Sequence, residues 1–257
     1  MREKSGRRSR IRSEIAEPAG HRSYVRGLFG RIARRYDLTN DVMSLGLHRR
    51  WKRYLLELAD LEPGFRVLDL AAGTGDLALG SANRGIGAPP TRDGSVVAAD
   101  LTPPMIKVGR QRRGADSVLW TGGDALHLPF RDESFDRVVI GYGLRNFADL
   151  DSGLAEIRRC LKPGGRLLSL DFGKPPIPAL RRLYFRYLEA SGSFIGWLLH
   201  RDVDAYLYIP ESLRRYPAQQ ELIGLMQHSG FVRCGFLEFL FGAMAIHFGE
   251  RPAPVPG

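Results

Sequence analysis

Short apolar runs alternate with segments of helical character through the middle of the chain. The segments of helical character are predicted at 76–83, 105–113 and 151–161. The apolar runs, typical of strands, lie at 65–70, 95–100, 117–121, 135–140 and 166–171. This alternation predicts an α/β fold, with a doubly wound, mainly parallel sheet and helices on both faces.

The last part of the chain completes this sheet. Leu222–Met226 is predicted as a helix, and the stretches 230–232 and 237–248 as two closing strands, antiparallel to each other. With the five runs above, these predict a seven-stranded sheet. We expect residues 23–257 to form one domain, in which 61–177 is the ligand-binding core, 217–250 the closing helix and strands, and 251–257 a proline-rich tail.

Two helical additions are predicted beside the core. Val25, Leu28 and Ile32 recur at spacings of three and four, so residues 23–60 are expected to form an N-terminal helical lid. Its 36–48 stretch fits a helix–turn–helix capped at Thr39, Asn40 and Ser44 as well as it fits a substrate-facing lid. Residues 178–216 are rich in Tyr, Phe and Trp, which predicts an inserted helical cap.

Charge adds a candidate partner to this picture. The chain has 38 basic and 28 acidic residues, a formal charge of +10, and much of the excess lies in the opening fourteen residues. We therefore expect a basic, disordered tail over 1–22. The excess suggests an anionic partner, either nucleic acid or a lipid surface, although simple solubility also explains it.

Cysteine usage and hydropathy indicate a compartment. Cys160 and Cys234 have neither metal-ligand nor redox spacing, so we expect two unpaired thiols and no cysteine metal site. Neither a signal peptide nor a spanning helix is indicated, because no apolar region follows the basic start and no run of eighteen apolar residues occurs. A cytoplasmic protein is the expectation.

A glycine turn follows the first predicted strand. After Val67–Leu70 the chain reads Gly73, Gly75 and Ala78, a G-x-G-x-x-A pattern at the junction of a strand and a helix. Glycine allows a sharp turn and a close approach of a ligand to the backbone. Alone, the pattern favours a nucleotide-type site no more than a merely tight turn.

Carboxylates stand at or just after the ends of other predicted strands, where ligands bind in doubly wound sheets. Asp100 is placed to accept hydrogen bonds from two ribose hydroxyls, or else to cap the next helix. Asp124 with the Ala125 backbone is placed to hold an adenine edge, or else to form a turn. Asp171 ends the fifth strand.

The surroundings of the turn favour a methyl donor over a dinucleotide. Asp69 and Asp76 bracket the glycines, and this negative setting suits a sulfonium and an ammonium but repels a pyrophosphate. The chain also has one glycine turn and no second half-domain for a nicotinamide.

At this point the sequence resembles the class I S-adenosylmethionine-dependent methyltransferases, through the glycine turn, Asp100 and the Leu161–Gly165 stretch. More narrowly, it resembles the quinone-biosynthesis C-methyltransferases, the family of demethylmenaquinone methyltransferase and its ubiquinone-pathway relatives. The stretches that carry this likeness are Tyr36–His48 with Trp51-Lys52, Gly143–Asn146, Asp204–Ser212 and Ala245–His247. They span roughly residues 24 to 250.

The resemblance implies S-adenosyl-L-methionine as cofactor, bound by the core at 61–177. The implied donor-binding residues are Asp69, Gly73, Thr74, Gly75, Asp100, Leu101, Asp124, Ala125 and Gly141. Relatives often have Asn in place of Asp124 and Ser in place of Gly141, so a side-chain hydrogen bond expected at 141 is missing here.

The resemblance also implies C-methylation of a prenylated quinol, without a metal. Arg145 would stabilise the phenolate, because arginine stays protonated, and His48, Asp37 or Asp41 would help remove a proton. The implied substrate-binding residues are Tyr36, Asn40, Asn146, Tyr206, Tyr208 and His247, with His247 also a candidate base. Peripheral association with an anionic membrane and a homodimer are further expectations, and no nucleic acid is expected.

Three alternatives stay open at this level. A nucleic-acid methyltransferase fits the pI near 10, but it would be expected to carry an Asn/Asp-Pro-Pro-aromatic run or a cysteine at the fourth strand. The fourth strand ends in Gly141–Asn146 instead. A non-catalytic S-adenosylmethionine-binding module and an NAD-dependent reductase are the other two.

Overall fold

A computed structural model describes residues 9, 11–86, 94–195 and 204–253. The strands are β1 Arg66–Leu70, β2 Ser95–Asp100, β3 Leu119–Gly122, β4 Phe135–Gly141, β5 Leu161–Phe172, β6 Val232–Phe239 and β7 Met244–Glu250. The helices are α1 Pro18–Ile32, α2 Tyr36–Ser44, α3 Leu47–Leu58, α4 Asp76–Ala82, α5 Pro103–Gly109, α6 Leu150–Cys160, α7 Pro178–Ile195, α8 Asp204–Arg215 and α9 Gln219–His228.

The seven strands form one sheet in the order β3-β2-β1-β4-β5-β7-β6. Neighbouring strands from β3 through β5 are parallel, and β7 runs antiparallel to both β5 and β6. The predicted fold class, including the antiparallel closing pair, is confirmed. Because the order reverses between β1 and β4, a crevice opens at the carboxyl ends of these strands, which is where such folds bind ligands.

Helices cover both faces of the sheet. On one face the core includes Leu68, Val138, Leu154 and Met226, and on the other it includes Leu55, Leu77, Val139 and Ile246. β2 is buried along its whole length, which explains why it reads as a continuous apolar run and not as an alternating one.

Element bounds differ from the prediction in the closing strands and in β5. The strands predicted at 230–232 and 237–248 are β6 at Val232–Phe239 and β7 at Met244–Glu250, so the second predicted strand runs across the turn that joins them. In β5 the difference lies at the start of the strand. A turn is predicted at 162–165 and a strand at 166–171, but the strand already begins at Leu161, which pairs with Phe135. The register then shifts, so that Arg137 pairs with Arg166. The Pro-Gly-Gly stretch therefore lies inside β5, as an irregularity between two segments of the strand that both pair with β4.

The expectation of a disordered tail over 1–22 is wrong for the residues that the structure describes. Helix α1 begins at Pro18, and Ile11 and Ile15 are buried against Leu28 and Leu207 in a third apolar cluster. Arg12 pairs with Glu211 at 2.6 Å, and Arg215 donates to the carbonyl oxygen of Ile15. The segment is predicted to be disordered because of its basic charge. It also contains two isoleucines four residues apart, which share one face of a helical turn.

This docking predicts a stability effect. Ile15→Ala should lower the free energy of unfolding by about 2–5 kcal/mol, as for other large-to-small changes at buried sites. Urea denaturation followed by circular dichroism measures it. Glu17→Ala is the control, since Glu17 is exposed and its side chain makes no helix-cap hydrogen bond. Equal midpoints for both variants would mean that the segment does not contribute to the core.

Candidate active site

Two cavities meet at the carboxyl ends of the strands and share a wall. The first, which we call the turn cleft, has a volume of about 730 Å³ and is lined in part by Gly73, Asp100 and Asp124. The second, which we call the apolar cavity, has a volume of about 1290 Å³ and lies beneath the N-terminal and cap helices. Phe29, Tyr36 and Tyr142 line both.

The two glycines of the turn have different roles. Gly73 and Gly75 adopt φ values of +57° and +83°, a region that side chains disfavour. A Cβ added at Gly75 would lie 2.3 Å from the Trp120 ring, whereas one at Gly73 would approach Tyr36 no closer than 3.8 Å. Gly75 is thus required for packing behind the turn, and Gly73 forms part of the cleft surface.

Asp100 holds the turn in place and faces the turn cleft. Its carboxylate accepts hydrogen bonds from the backbone N–H groups of Gly73 at 2.8 Å and Thr102 at 2.7 Å. Burial raises the pKa of Asp100, and these two donors oppose that rise. Thr102, and not Asp100, stands at the cap position of α5. A carboxylate has about four acceptor sites, so two remain for a ligand.

Asp124 forms a turn, the second of its two predicted roles, and also lines the turn cleft. One carboxylate oxygen accepts from the backbone N–H of Leu126 at 3.0 Å, which fixes the turn, and the other accepts from Arg22 of α1 at 2.8 Å. Leu101, Ala125 and Gly141 line the same cleft. A Cβ at Gly141 would lie 3.1 Å from Leu77 Cδ1, which is tight packing.

Asp69 and Thr74, both predicted to bind the donor, make their hydrogen bonds within the protein in this structure. Neither is among the residues that line the turn cleft. Asp69 is buried behind the turn, where it accepts a hydrogen bond from the backbone N–H of Ala78 at 2.8 Å, and burial raises its pKa to about 8. The Thr74 hydroxyl donates to Asp37 at 2.6 Å. Both side chains therefore shape the turn.

The surroundings of Asp69 and Asp76 weaken the electrostatic argument drawn from them. Burial raises the pKa of Asp69 and so disfavours its charged form. Burial raises the pKa of Asp76, but Lys52 and Arg112 outweigh burial and lower it overall. Lys52 lies 2.6 Å from one oxygen of the Asp76 carboxylate, and Arg112 lies 2.5 Å from the other. The negative charge near the turn is thus already balanced.

Arg145 lies at the wall of the apolar cavity. Its guanidinium donates to Asp171 at 2.7 Å and to the Tyr142 carbonyl oxygen at 2.6 Å, and its backbone N–H donates to Asp171 at 3.1 Å. Its Nε is buried without a hydrogen-bond partner among the described residues. A fixed cation with an unused donor can stabilise an oxyanion beside it.

His48 lies between the apolar cavity and a polar groove that opens on the other side of α2 and α3. Its Nδ1 is 2.8 Å from the Ser44 hydroxyl, which donates to the carbonyl oxygen of Asn40. The hydroxyl has one proton, so we assign the proton of the imidazole to Nδ1. Nε2 is then the basic nitrogen, 3.7 Å from Asp41.

The protonation of His48 follows from its surroundings. Burial and then Lys52 lower its pKa below the ordinary value, and Asp41 partly opposes them. The imidazole is therefore neutral at pH 7, as a base must be. Asp41 is also held by Arg49 at 2.5 Å.

The catalytic role predicted for Asp37 is not supported by its position. Asp37 and Asp41 line the polar groove and not the apolar cavity. Asp37 accepts the Thr74 hydroxyl and lies 3.7 Å from Arg112. Asp37 therefore ties α2 to the glycine turn.

The predicted substrate-binding residues mostly surround the two cavities. Tyr36 lines both, Asn40 and Tyr208 line the apolar cavity, and Asn146 lines the turn cleft. Tyr208 donates to Asn146 at 3.0 Å, which joins the cap to the end of β4. Tyr206 belongs to α8, but its side chain lies outside the described part of the structure.

His247 is a correction. It lies within β7 opposite Ser169, where its Nε2 is 3.2 Å from the carbonyl oxygen of Gln219, and it lines neither cavity. Burial lowers its pKa to about 4. It packs in the core between the sheet and α9, because its position in an antiparallel strand directs the side chain there and not toward the crevice.

Sequence reasoning missed Phe29, Tyr142 and Lys52. Tyr142 has φ +63° and its ring forms part of the wall between the cavities. The glycines on both sides of it were the available signal, since they mark a sharp turn at the strand end. Phe29 follows the helical spacing of α1, but nothing in that spacing says that α1 crosses the turn cleft.

Comparison of the sequence with known protein families finds a match over most of the chain. Residues 18–251 match the model of the ubiE/COQ5 methyltransferase family. The ubiquinone/menaquinone biosynthesis C-methyltransferase UbiE of Teredinibacter turnerae is 43% identical over 93% of this chain and 95% of that protein. The UbiE protein of Ectopseudomonas mendocina is 44% identical over 89% of each chain.

The chain belongs to the ubiE/COQ5 methyltransferase family. The resemblance seen in the sequence is thereby confirmed. Among solved structures, an S-adenosylmethionine-dependent methyltransferase of Thermotoga maritima superposes with a TM-score of 0.59 at 20% identity, over 88% of this chain and 99% of that one. This likeness confirms the fold.

The turn cleft fits the methyl donor of this family. Asp100 keeps free acceptor sites for ribose hydroxyls, Gly73 exposes its backbone, and Asp124 and Ala125 lie at the next strand end. Among the described residues no group of three or more His, Cys, Asp or Glu side chains is arranged to hold a metal ion.

Asp100→Asn provides a test of the turn cleft. The amide nitrogen cannot accept from Gly73 or Thr102, so the turn loses a partner and a ribose loses an acceptor. Affinity for S-adenosylmethionine, measured by isothermal titration calorimetry, should fall about 10- to 100-fold, the effect of losing one or two hydrogen bonds to a charged group. Asp151→Asn on the exposed start of α6 should bind normally. Unchanged binding by Asp100→Asn would contradict the assignment.

Proposed function

We propose that this chain, an S-adenosylmethionine-dependent C-methyltransferase of quinone biosynthesis, binds the donor in the turn cleft and the ring of a prenylated quinol in the apolar cavity. One observation carries this division. The two cavities adjoin at Phe29, Tyr36 and Tyr142, which border both, and Arg145, whose Nε has no hydrogen-bond partner among the described residues, lines the second cavity. Methyl transfer needs direct contact between the reactants, and two adjoining cavities would place them next to each other.

The donor would be held by the residues that line the turn cleft. Asp100 would accept from the ribose, Asp124 and Ala125 would contact the adenine, and the backbone at Gly73 and Gly141 would bound the rest. When bound, S-adenosylmethionine supplies a methyl group activated by its sulfonium. Holding both reactants in a near-attack pose accounts for about 7–11 kcal/mol of a barrier of this kind.

Arg145 would stabilise the quinol oxygen as a phenolate. A phenolate carries negative charge on the adjacent ring carbon, which can then form the new carbon–carbon bond. Burial lowers the pKa of Arg145, but Asp171 together with Tyr208 and Tyr36 outweighs burial and raises it overall, so the guanidinium stays charged. Of the guanidinium nitrogens, Nη1 alone makes the hydrogen bonds to Asp171 and to the Tyr142 carbonyl oxygen, so the rest of the guanidinium, including Nε, would be left to donate to the oxyanion.

His48 would accept a proton from the acceptor side. It lines the apolar cavity, while its basic Nε2 faces Asp41 and the polar groove, which leads to solvent, so the proton would pass to Nε2 through a water molecule. Protonation at Nε2 would create a cation beside the Asp41 carboxylate, which favours the transfer. The hydroxyl proton that leaves when the phenolate forms is regained when the aromatic ring is restored, so C-methylation releases one proton in all, that of the ring carbon, and this route would carry it away from the apolar cavity.

The apolar cavity suits a prenyl tail. Its walls include Leu28, Met43, Trp51, Leu188 and Ile209, which come from five of the helices that cover the crevice. Burial of a methylene group contributes about 0.8 kcal/mol, so a few isoprene units would dominate the binding energy. A nucleic acid needs a basic surface instead, so the cavity favours the quinol over the nucleic-acid alternative.

We also propose peripheral association with an anionic membrane, because a prenylated substrate resides in a bilayer. None of the helices in the described ranges is both long and apolar enough to cross a membrane. Arg182 and Arg186 are exposed on α7, beside the apolar cavity. Location in the cytoplasm and the homodimer stay predictions, the latter to be checked by light scattering.

A label-transfer assay tests the proposed function. The protein is incubated with methyl-labelled S-adenosylmethionine and reduced demethylmenaquinone, or the corresponding benzoquinol. The label should appear in the lipid at a ring carbon, as shown by mass spectrometry, and not in added RNA. Failure with both quinols while the donor still binds would overturn the proposal, and comparison of the two rates identifies the acceptor ring.

Arg145→Lys tests the role of the guanidinium without removing its charge. Lysine preserves the partner of the buried Asp171 but lacks the fixed Nε–H donor. We expect kcat to fall about 10²–10³-fold, as when one oxyanion donor is lost, with an unchanged Kd for S-adenosylmethionine. Arg137→Lys at the other end of β4 is the matched control and should keep kcat. A loss of donor binding in Arg145→Lys would contradict the division between the cavities.

The pH profile tests His48. The base acts when neutral, and burial lowers its pKa, so kcat/KM should fall only as the pH drops below the ordinary histidine range. Asp41 raises the pKa of His48, so Asp41→Asn should move this acidic limb to lower pH. His48→Gln should abolish the limb and reduce the rate about 10²–10⁴-fold. An unchanged limb in His48→Gln would assign the base elsewhere.

A further inference from the structure

We infer that an exposed apolar rim around the mouth of the apolar cavity inserts into the lipid bilayer, so that the acceptor passes from the membrane into the site. This inference rests on the proposed function and names the surface that performs the entry. The rim consists of Leu38, Val42 and Leu45 from α2 and the turn after it, and of Leu240 and Phe241 from the turn between β6 and β7.

Helix α2 carries an exposed apolar stripe on the side opposite the face that lines the cavity. Leu38, Val42 and Leu45 recur at intervals of four and three residues, so they form one stripe, and they are 51%, 44% and 87% exposed. The other side of the same helix lines the apolar cavity through Thr39, Asn40 and Met43. On this side the wall of the cavity is therefore α2, and the outer face of that helix is apolar.

The second part of the rim is the turn between β6 and β7. Leu240 and Phe241 are 55% and 82% exposed and have φ values of +51° and +55°. Leu45 has φ +50°. Bulky residues rarely adopt this left-handed conformation, and here three of them combine it with exposure of an apolar side chain. The backbone thus holds these side chains in solvent, although bulky residues disfavour the left-handed conformation and apolar side chains disfavour exposure.

The two parts of the rim border the same opening. Leu45 and Leu240 also line the apolar cavity. Tyr187 on α7, which is 54% exposed, lines it as well and lies next to α2, with its hydroxyl 3.5 Å from the Met43 carbonyl oxygen. The apolar surface is thus continuous from the cavity wall to the outside of the molecule.

This continuity indicates lipid as the occupant. A partner protein seated on the rim would close the mouth through which a prenyl tail must pass, whereas acyl chains extend the cavity lining. Arg34 precedes α2, Arg50 follows the turn, and Arg182 and Arg186 lie on α7; all are exposed. Basic residues around an apolar surface suit the boundary between acyl chains and anionic headgroups.

A fluorescent label reports the insertion directly. Phe241→Cys is made in a Cys234→Ser background, since Cys160 is buried, and is labelled with an environment-sensitive fluorophore. Vesicles of phosphatidylcholine and phosphatidylglycerol should shift its emission to the blue. The same label at Leu119→Cys, an exposed apolar site on β3, should not respond. No shift at 241, or a shift that protein concentration produces without vesicles, would overturn the inference.

A pair of double variants tests the contribution of the rim to binding. Val42→Gln/Phe241→Gln changes two rim residues that do not line the cavity. Leu119→Gln/Val232→Gln changes two exposed apolar residues away from the rim, on the edge strands β3 and β6. In vesicle co-sedimentation the first should bind roughly tenfold less than the parent, and the second equally well. Equal binding by the two would overturn the inference.

Activity assays separate this inference from the proposed function. The rim variant should methylate a short-chain, water-soluble quinol at the parent rate and a vesicle-borne long-chain quinol about tenfold more slowly. If the parent protein methylates neither quinol, the proposed function fails, while the fluorescence and sedimentation results still decide the insertion. If the variant methylates both quinols at the parent rates, the rim has no role in entry.

Discussion

The buried ion pair of Arg145 and Asp171 is the interaction on which the site depends. It joins the ends of β4 and β5, since the Arg145 backbone and guanidinium both donate to the Asp171 carboxylate. Removing either partner would leave an isolated charge in the core, a change that destabilises proteins by about 3–5 kcal/mol. The pair therefore fixes the short turn 144–146 in one conformation.

The neighbours of this pair are positioned by it. The Tyr142 carbonyl oxygen accepts from Arg145, which holds the ring of Tyr142 in the wall between the turn cleft and the apolar cavity. Asn146 follows in the same turn and accepts from Tyr208 of the cap. The two cavities and the cap thus share one rigid support, as a reaction between two bound molecules requires.

A second group of charges connects the N-terminal helices to the glycine turn. Asp76 binds Lys52 of α3 and Arg112, while Asp37 of α2 accepts the Thr74 hydroxyl. These contacts hold α2 over the crevice. The helix can then serve at once as a cavity wall, as the support of His48 through Ser44, and as the carrier of the outer apolar stripe.

The sequence by itself determined the seven-stranded α/β fold, the glycine turn, the strand-end carboxylates and the family, because each of these depends on local periodicity or on short motifs. It also identified Asp100 and Arg145, since the ends of parallel strands always meet at one edge. Only the tertiary structure decided which face each side chain takes and what lies opposite it. In the structure Asp69, Thr74 and His247 line neither cavity, and Asp37 makes a supporting contact. Ile11 and Ile15 are buried. Phe29 and Tyr142 border both cavities. Such outcomes depend on contacts between residues far apart in the chain, which no local pattern records.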